Sequence, residues 1–147
     1  MCCEQIVTGG AVSVRCAHAD GILRLTLLGL VTRQTLVEAR MAAIMAVERT
    51  PSAGSVFDLR GASLLISREE NMELATPGRT GPFLKVPVAF LVTEEQLDHV
   101  TQFCVKMSQS GHLRAAFLEQ QEALVWLSRQ SRLGAVRTSP ARVRSTK

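Results

Sequence analysis

The stretch VFDLRGASLLISREE, residues 56–70, decides the fold, because it joins an apolar strand to the start of a helix. Residues 56–59 have the pattern of a buried strand, and residues 67–70 have the Ser-x-x-Glu pattern that begins a helix. In open α/β proteins, recognition and chemistry tend to occur where a strand ends and the next helix begins. This junction is therefore the first place to look for a site.

Length and composition are typical of one globular domain. The chain has 147 residues, 46% of them hydrophobic and 20% charged, which allows a sizeable core and argues against a disordered chain. Its longest uncharged apolar run, residues 25–32, is far shorter than the ~20 residues that a membrane helix requires. Residues 1–10 lack the apolar centre of a signal peptide. We predict no membrane span and a cytoplasmic location.

The net charge of +4 is concentrated at one end of the chain. Six basic residues and no acid occur from residue 129 onward: Arg129, Arg132, Arg137, Arg142, Arg144 and Lys147. The preceding part has 11 basic and 13 acidic residues and is mildly acidic. Residues 131–147 are predicted to form a basic, disordered tail. Such a tail could contact an acidic partner, but it lacks aromatic residues that would stack on bases, so nucleic acid is not favoured as a partner.

Cysteine and histidine spacing predicts neither a metal site nor a cofactor. The cysteines are Cys2, Cys3, Cys16 and Cys104, and the histidines are His18, His99 and His112. No C-x-x-C or mixed cysteine–histidine ligand spacing occurs, and no catalytic set is suggested by local sequence. We expect Cys16 and Cys104 to be buried reduced thiols, and each histidine to be an ordinary surface or hydrogen-bonded residue.

Hydrophobic periodicity and turn residues predict nine elements in the order β-β-α-β-α-β-α-β-α. The predicted strands cover residues 11–17, 22–28, 54–59, 86–92 and 112–118, and the predicted helices end near residues 49, 75, 110 and 130. Asp20-Gly21 predicts a hairpin between the first two strands, and Thr32, Ser67 and Thr93 are predicted helix caps. The order predicts one α/β domain over residues 11–130 with a mostly parallel or mixed sheet, preceded by an N-terminal arm at residues 1–10.

With this order, the chain resembles the SpoIIAA-like group within the STAS (sulfate transporter and anti-sigma-factor antagonist) fold. The resemblance rests on four stretches: VSVRCAHADGILRLTLLGLVT at 12–32, GSVFDLRGAS at 54–63, VPVAFLV at 86–92 and GHLRAAFLEQQEALVWL at 111–127. It covers roughly residues 11–130, and the last stretch is similar to the ending of many small bacterial proteins of the group. The resemblance implies the SpoIIAA-like α/β fold.

The resemblance also bears on regulation. In anti-sigma-factor antagonists, the strand corresponding to residues 55–59 leads to a turn in which a partner kinase phosphorylates a serine. Aligned without gaps, Ile66 replaces the aspartate of that turn, its glycine is absent, and Arg68 is nearest to the phosphoacceptor position. Ser67 is one residue away, where Glu69 and Glu70 would repel an added phosphate. We therefore predict that Ser67 caps a helix and that the regulatory serine is lost.

The leading hypothesis is a non-enzymatic STAS-like module that acts through protein–protein contact, with an unknown partner protein or as a homodimer. The residues expected to form the partner or regulatory surface are Arg60, Ser63, Ser67, Arg68 and Glu69. Asp58 is the one carboxylate in an apolar strand. Because no second acid or base is placed beside it, we expect it to be satisfied by Arg60, a hairpin residue or backbone N–H groups rather than to be catalytic.

An alternative from a different class is a carrier of a small apolar or anionic, lipid-like ligand. The same general fold resembles that of the CRAL-TRIO lipid-binding domains. The loop at residues 76–85 could serve as a lid, and Arg79, Thr80 and Lys85 make it a candidate anion or ligand loop. An apolar cavity would favour this alternative, and a solid core would exclude it.

Overall fold

Seven strands and four helices form within the described part of the chain. A computed structural model describes residues 3–7, 12–19, 21–49, 52–75 and 86–138, with side chains for residues 21–46, 49, 52–75 and 86–130. The strands are β1 (Cys3–Val7), β2 (Val12–Ala19), β3 (Ile22–Thr32), β4 (Gly54–Asp58), β5 (Ala62–Leu65), β6 (Val88–Leu91) and β7 (Arg114–Phe117). The helices are α1 (Arg33–Arg49), α2 (Arg68–Leu74), α3 (Glu94–Gln109) and α4 (Gln120–Thr138).

The strands form one mixed sheet in the order β1-β2-β3-β4-β6-β7. β2 and β3 are antiparallel, as the hairpin signal Asp20-Gly21 predicts, and Gly21 has a φ of 74°. β1 also pairs with β2 in the antiparallel direction, which was not predicted. The pairs β3–β4, β4–β6 and β6–β7 are parallel, and a helix lies in the connection between the two strands of each pair. The carboxyl ends of β4, β6 and β7 therefore lie along one edge of the sheet.

β3 is long enough to pair with two strands in succession. Its first half pairs with β4 as far as Thr26, and its second half pairs with β5 from Gly29 onward, both in parallel. Gly29 has a φ of 97°, a conformation that glycine adopts without strain, and its N–H donates to the carbonyl of Gly61. Gly29 thus marks the place where β3 changes partner, beside the turn that separates β4 from β5.

Helices cover both faces of the sheet. On one face, α1 and α3 pack on β3, β4 and β6 in the larger of two apolar clusters, which includes Leu25, Ala43, Phe57, Phe90 and Val100. On the other face, α4 packs on β4 and β6 in a smaller cluster: Val56, Ala89, Leu91, Ala123 and Leu127. α2 lies on the same side as α1 and α3, and its Leu74 is buried. The sheet is thus the central layer of an α/β sandwich.

The five predicted strands and four predicted helices are all present. β1 and β5 are additional strands: β1 lies within the segment predicted to be an N-terminal arm, and β5 lies in the predicted connection before α2. α4 continues to Thr138, so residues 131–138 are helical rather than part of the predicted tail, and residues 139–147 lie outside the described residues. None of the described helices is both long and apolar enough to cross a membrane.

Candidate functional site

The turn that follows β4 is held by an acid–base pair. The two oxygens of Asp58 accept hydrogen bonds from Nε and Nη2 of Arg60 at 3.0 and 2.9 Å, and one of them also accepts from the backbone N–H of Arg60. Burial alone raises the pKa of Asp58, but the hydrogen bonds and positive charge of Arg60 outweigh it, so the pKa lies below its ordinary value. Asp58 is thus satisfied by Arg60, one of the partners that the sequence predicted.

Gln96 connects this turn to the start of α3, the helix that follows β6. Thr93 and Gln96 form a capping box at the start of α3, in which each side chain accepts a hydrogen bond from the backbone N–H of the other residue. The amide nitrogen of Gln96 remains available and donates to the carbonyl oxygens of Leu59 and Ala62, at 2.8 and 2.9 Å. One side chain thus caps α3 and fixes the β4–β5 turn.

α2 begins with a second capping box and is attached to both neighbouring helices. The hydroxyl of Ser67 accepts from the N–H of Glu70, whose carboxylate accepts from the N–H of Ser67. Asn71 of α2 donates to the carbonyl of His99 in α3, and Arg40 of α1 donates to the carbonyl of Leu74. α2 is therefore docked over the sheet at a defined position.

An open groove lies between the β4–β5 turn, β5 and the start of α3. Its volume is about 400 Å³, and it is lined by Arg60, Ala62, Leu64, Ile66, Thr93, Glu95, Gln96 and His99. This is the edge at which β4 and β6 end, the location where open α/β sheets bind ligands.

A partly open cavity of about 70 Å³ lies beneath α2, between the sheet and α1 and α3. Its walls are mostly apolar side chains: Leu36, Phe57, Leu59, Leu64, Ile66, Leu74, Val88, Phe90, Val100, Phe103 and Met107. Leu64, Ile66 and His99 line both the cavity and the groove. The two spaces therefore share a wall, and together they form the candidate site.

None of the polar side chains described in the lining of the cavity is an acid, and each can donate a hydrogen bond. They are Arg40, Asn71, His99 and Arg114. Burial lowers the pKa of Arg40, and burial together with the charge of Arg40 lowers the pKa of Arg114 to about 10. Both guanidinium groups still carry a positive charge at neutral pH. The cavity is thus an apolar space with a positively charged wall.

Sequence comparison finds no match for this chain, since no protein-family profile and no curated protein matches it. A comparison of structures does find similarity, to an uncharacterised protein of the DUF3478 family from Shewanella loihica PV-4, described as having a SpoIIAA-like fold. The TM-score is 0.52 at 16% identity, and the match covers 83% of this chain and 98% of the other.

The fold is SpoIIAA-like. This confirms the fold expected from the four sequence stretches. At 16% identity the similarity concerns the fold alone, so the site must be judged on its own residues.

Within this SpoIIAA-like fold, the predicted surface residues fall into two groups. Arg60 lines the groove, while Ser63, Ser67, Arg68 and Glu69 are exposed on β5 and at the start of α2 and line neither space. Ser67 is the helix cap that was predicted. Arg79, Thr80 and Lys85 of the predicted anion loop lie outside the described residues.

Sequence reasoning missed the residues that line the cavity. His99 was treated as an ordinary histidine, and neither Arg40 nor Arg114 was considered. A signal did exist, because Arg40 follows Leu36 by four residues on the apolar side of α1, and Arg114 interrupts the apolar strand β7. A cation placed on a buried face, rather than a recognised motif, was the sign of this site.

Proposed function

We propose that this protein is a non-enzymatic binding module that holds a small molecule in the space formed by the groove and the cavity. The observation that carries the proposal is the cavity of about 70 Å³, which shares the wall of Leu64, Ile66 and His99 with an open groove.

The character of the polar groups supports binding rather than catalysis. Among the described residues that line the cavity and the groove there is no serine or cysteine, and the one carboxylate is that of Glu95, which is exposed at the groove. In the groove, the hydroxyl of Thr93 already accepts the N–H of Gln96 as a helix cap. Specific and saturable turnover of any compound in a substrate panel would contradict the non-enzymatic part of the proposal.

A pair of adjacent leucines on β5 tests the location of the binding site. Leu64 lines both spaces, whereas Leu65 is 56% exposed and lines neither. We expect ligand-observed NMR on a panel of small molecules to find saturable binders. Leu64→Trp should abolish their binding because the indole would fill the shared wall, and Leu65→Trp should retain it. Equal binding to both variants would place the ligand elsewhere and contradict the proposal.

A second proposal is a protein contact through the surface of β5 and α2, and one observation favours it. Leu30 is 49% exposed and Leu65 is 56% exposed, and the strand register places them on one face, beside Ser63. Exposed apolar side chains on this face, together with the exposed Arg68 and Glu69 at the start of α2, would suit a protein partner. We take the form of this contact to be a homodimer, and the location to be cytoplasmic.

Analytical ultracentrifugation tests the homodimer. Wild-type protein should sediment as a dimer at micromolar concentration, and Leu65→Glu should sediment as a monomer because a carboxylate would be placed in the interface. The matched variant Val105→Glu changes an exposed valine on α3 and should remain dimeric. A wild-type protein that is monomeric throughout would contradict this proposal and leave the small-molecule proposal intact.

A further inference from the structure

β7 is the last strand of the sheet, and among the described strands only β6 pairs with it. The N–H of Val88 donates to the carbonyl of Leu113, and the N–H of Val92 donates to the carbonyl of Phe117. Backbone groups of alternate residues face the same neighbouring strand, so those of Ala116 point away from β6. They have no partner within the described residues. The outer edge of β7 can therefore accept a further strand.

A cleft of about 530 Å³ lies between this edge and α3, and we call it the edge cleft. Its α3 side includes Cys104, Val105 and Ser108, and its β7 side includes Ala115 and Ala116. Val105 is 53% exposed, so the α3 side presents an apolar side chain to solvent, while the two alanines are small and leave room beside the strand. A strand edge and a helix also bound the site in domains that bind a peptide by adding it to a sheet.

The sequence of β7 offers little protection against pairing with another chain. Exposed edge strands commonly carry Lys or Pro, or contain a bulge. β7 has the sequence RAAF, with neither Lys nor Pro, and its register with β6 is uninterrupted. Arg114 does not cover the edge, because its side chain is buried and donates to the carbonyl of Val86. Short length is the one protection that β7 itself has, so contacts in the edge cleft must add to its few backbone bonds.

The charges at the two ends of β7 are opposite. The last turn of α3 lies beside the start of β7, because the hydroxyl of Ser108 is 3.5 Å from the carbonyl oxygen of Arg114, and this turn contains the exposed Lys106. Glu119 directly follows the end of β7, and Glu122 is in the first turn of α4; both are exposed. The edge is thus basic at its start and acidic at its end.

We propose that the edge of β7 binds an extended peptide segment of a partner protein, which adds a strand antiparallel to β7 and places small apolar side chains in the edge cleft. An antiparallel segment begins beside Glu119 and Glu122 and ends beside Lys106. Charge complementarity therefore requires a basic residue near its start and an acidic residue near its end. The edge cleft and the groove have no lining residue in common, so the inference depends on neither the small-molecule proposal nor the homodimer.

The pairing determines which peptide amides face β7. Residues directly opposite one another in an antiparallel pair lie on the same face of the sheet. Ala116 packs against the larger apolar cluster, on the face that α3 covers. The peptide residue opposite Ala116 therefore directs its side chain towards α3 and its own N–H towards β7. The probe is the peptide acetyl-Lys-Thr-Val-Thr-Val-Thr-Asp-amide, in which the valines take the positions that face the edge cleft.

NMR titration of ¹⁵N-labelled protein with this probe tests the pairing. We expect a saturable shift of the amide signal of Ala116, and its exchange with D₂O should become about 10-fold slower. N-methylation of both valines should weaken binding about 10-fold or more, because two hydrogen bonds to β7 are lost. N-methylation of the last two threonines should change binding little, since those amides face away from β7. A probe with Lys and Asp exchanged should bind more weakly at low ionic strength.

Matched protein variants locate the site. Val105→Glu should abolish binding of the probe, and Leu65→Glu, the same kind of change on β5, should retain it. Ala116→Pro removes the outward N–H without removing a bond to β6, so it should weaken binding about 10-fold. The fluorescence of Trp126, whose ring contacts Phe117 of β7, would show that the edge of this variant is folded.

Other results would overturn the inference. Without a saturable shift at Ala116, a segment of this chemistry does not bind the edge. Equal binding of the two N-methylated probes would show that no main-chain pairing forms. Loss of binding in Leu65→Glu alone would place the peptide on β5. A monomeric Val105→Glu protein would assign the edge to a contact between two copies, and stronger binding after deletion of residues 139–147 would assign it to the end of this chain.

Discussion

The side-chain amide nitrogen of Gln96 lies 2.8 Å from the carbonyl oxygen of Leu59, and this bond joins the first turn of α3 to the end of β4. The same nitrogen also donates to Ala62, and the amide oxygen accepts the N–H of Thr93. One half-buried side chain therefore holds three backbone groups: those of Leu59 after β4, Ala62 at the start of β5 and Thr93 before α3. The groove depends on this arrangement, because its walls are the turn on one side and α3 on the other.

Substitutions of Gln96 should distinguish the stabilisation that comes from capping α3 from the stabilisation that comes from the bonds to Leu59 and Ala62. Gln96→Ala loses every bond and should lower the free energy of unfolding by about 2–3 kcal/mol, at roughly 1 kcal/mol for each bond. Gln96→Glu keeps the acceptor for Thr93 but places a carboxylate against two carbonyl oxygens. It should be as destabilising as alanine at pH 7 and less so near pH 4, where the carboxyl group begins to take up a proton (ordinary pKa about 4.3).

Urea unfolding followed by circular dichroism measures these changes. The control is Gln102→Ala on the same helix, where the side chain bonds only to Asp98 on the surface, and it should change stability by about 0.5 kcal/mol or less. A Gln96→Glu protein as stable as wild type at pH 7 would show that the bonds to Leu59 and Ala62 contribute nothing.

Protonation of Asp58, which weakens its pairing with Arg60, should contribute to the unfolding of the protein in acid. Because the pKa of Asp58 is lowered in the folded protein, the stabilisation is fully present above the unfolded pKa of about 3.9 and is lost as the pH falls through the folded pKa. Asp58→Asn should cost about 1 kcal/mol at pH 7, and its stability should fall less steeply than that of wild type below pH 4. Thermal melts from pH 2 to 7 test this, with Asp98→Asn, an exposed acid on α3, as the matched control. Parallel curves for Asp58→Asn and wild type would refute it.

Ser67 should behave as a cap and not as a switch. Ser67→Ala should cost about 0.5–2 kcal/mol because the N–H of Glu70 loses its acceptor, and Ser67→Asp should be tolerated because aspartate also caps helices. Ser63→Ala, at an exposed position on β5, should melt like wild type. If Ser67→Ala also melts like wild type, the cap does not stabilise the protein. Phosphopeptide mapping should find Ser67 unmodified, and a phosphorylated Ser67 would support the regulatory alternative.

Cys104 should resist alkylation in the folded protein. Burial raises the pKa of its thiol to about 12, although the charge of Arg114 acts in the opposite direction, so the thiol is protonated at pH 8. Peptide mass spectrometry after iodoacetamide treatment at pH 8 should find Cys104 unlabelled without urea and fully labelled in urea. Labelling at the rate of an unfolded peptide would show that α3 opens readily.

Features that depend on a few neighbouring residues were determined by the sequence alone. The capping boxes of Ser67 with Glu70 and of Thr93 with Gln96 join residues three apart, so the pattern and the bonds coincide. The order of strands and helices followed from periodicity, because the spacing of apolar residues within each segment indicates whether it is a strand or a helix and which face is buried. The pairing of Asp58 with Arg60 could be predicted for the same reason, because two positions separate them.

Strands β1 and β5 were harder to predict because a short strand is stabilised by its neighbour rather than by its own sequence. β5 has four residues, and it pairs with the second half of β3, beyond the part of β3 that pairs with β4. In both strands, tertiary pairing outweighed local preference. α4 also continues beyond the predicted end near residue 130.

The candidate site was decided by tertiary structure alone. Arg40, His99 and Arg114 come from α1, α3 and β7, and only the packing of both helices on the parallel sheet brings them to one cavity. Their spacing along the chain carries no signature, because no local hydrogen bond or period relates them. The second role of Gln96 is similar, since its acceptors lie 37 and 34 residues away in sequence. The sequence determined which elements form and how each begins, while the convergence of their side chains, and with it the chemistry of the cavity, arose from packing.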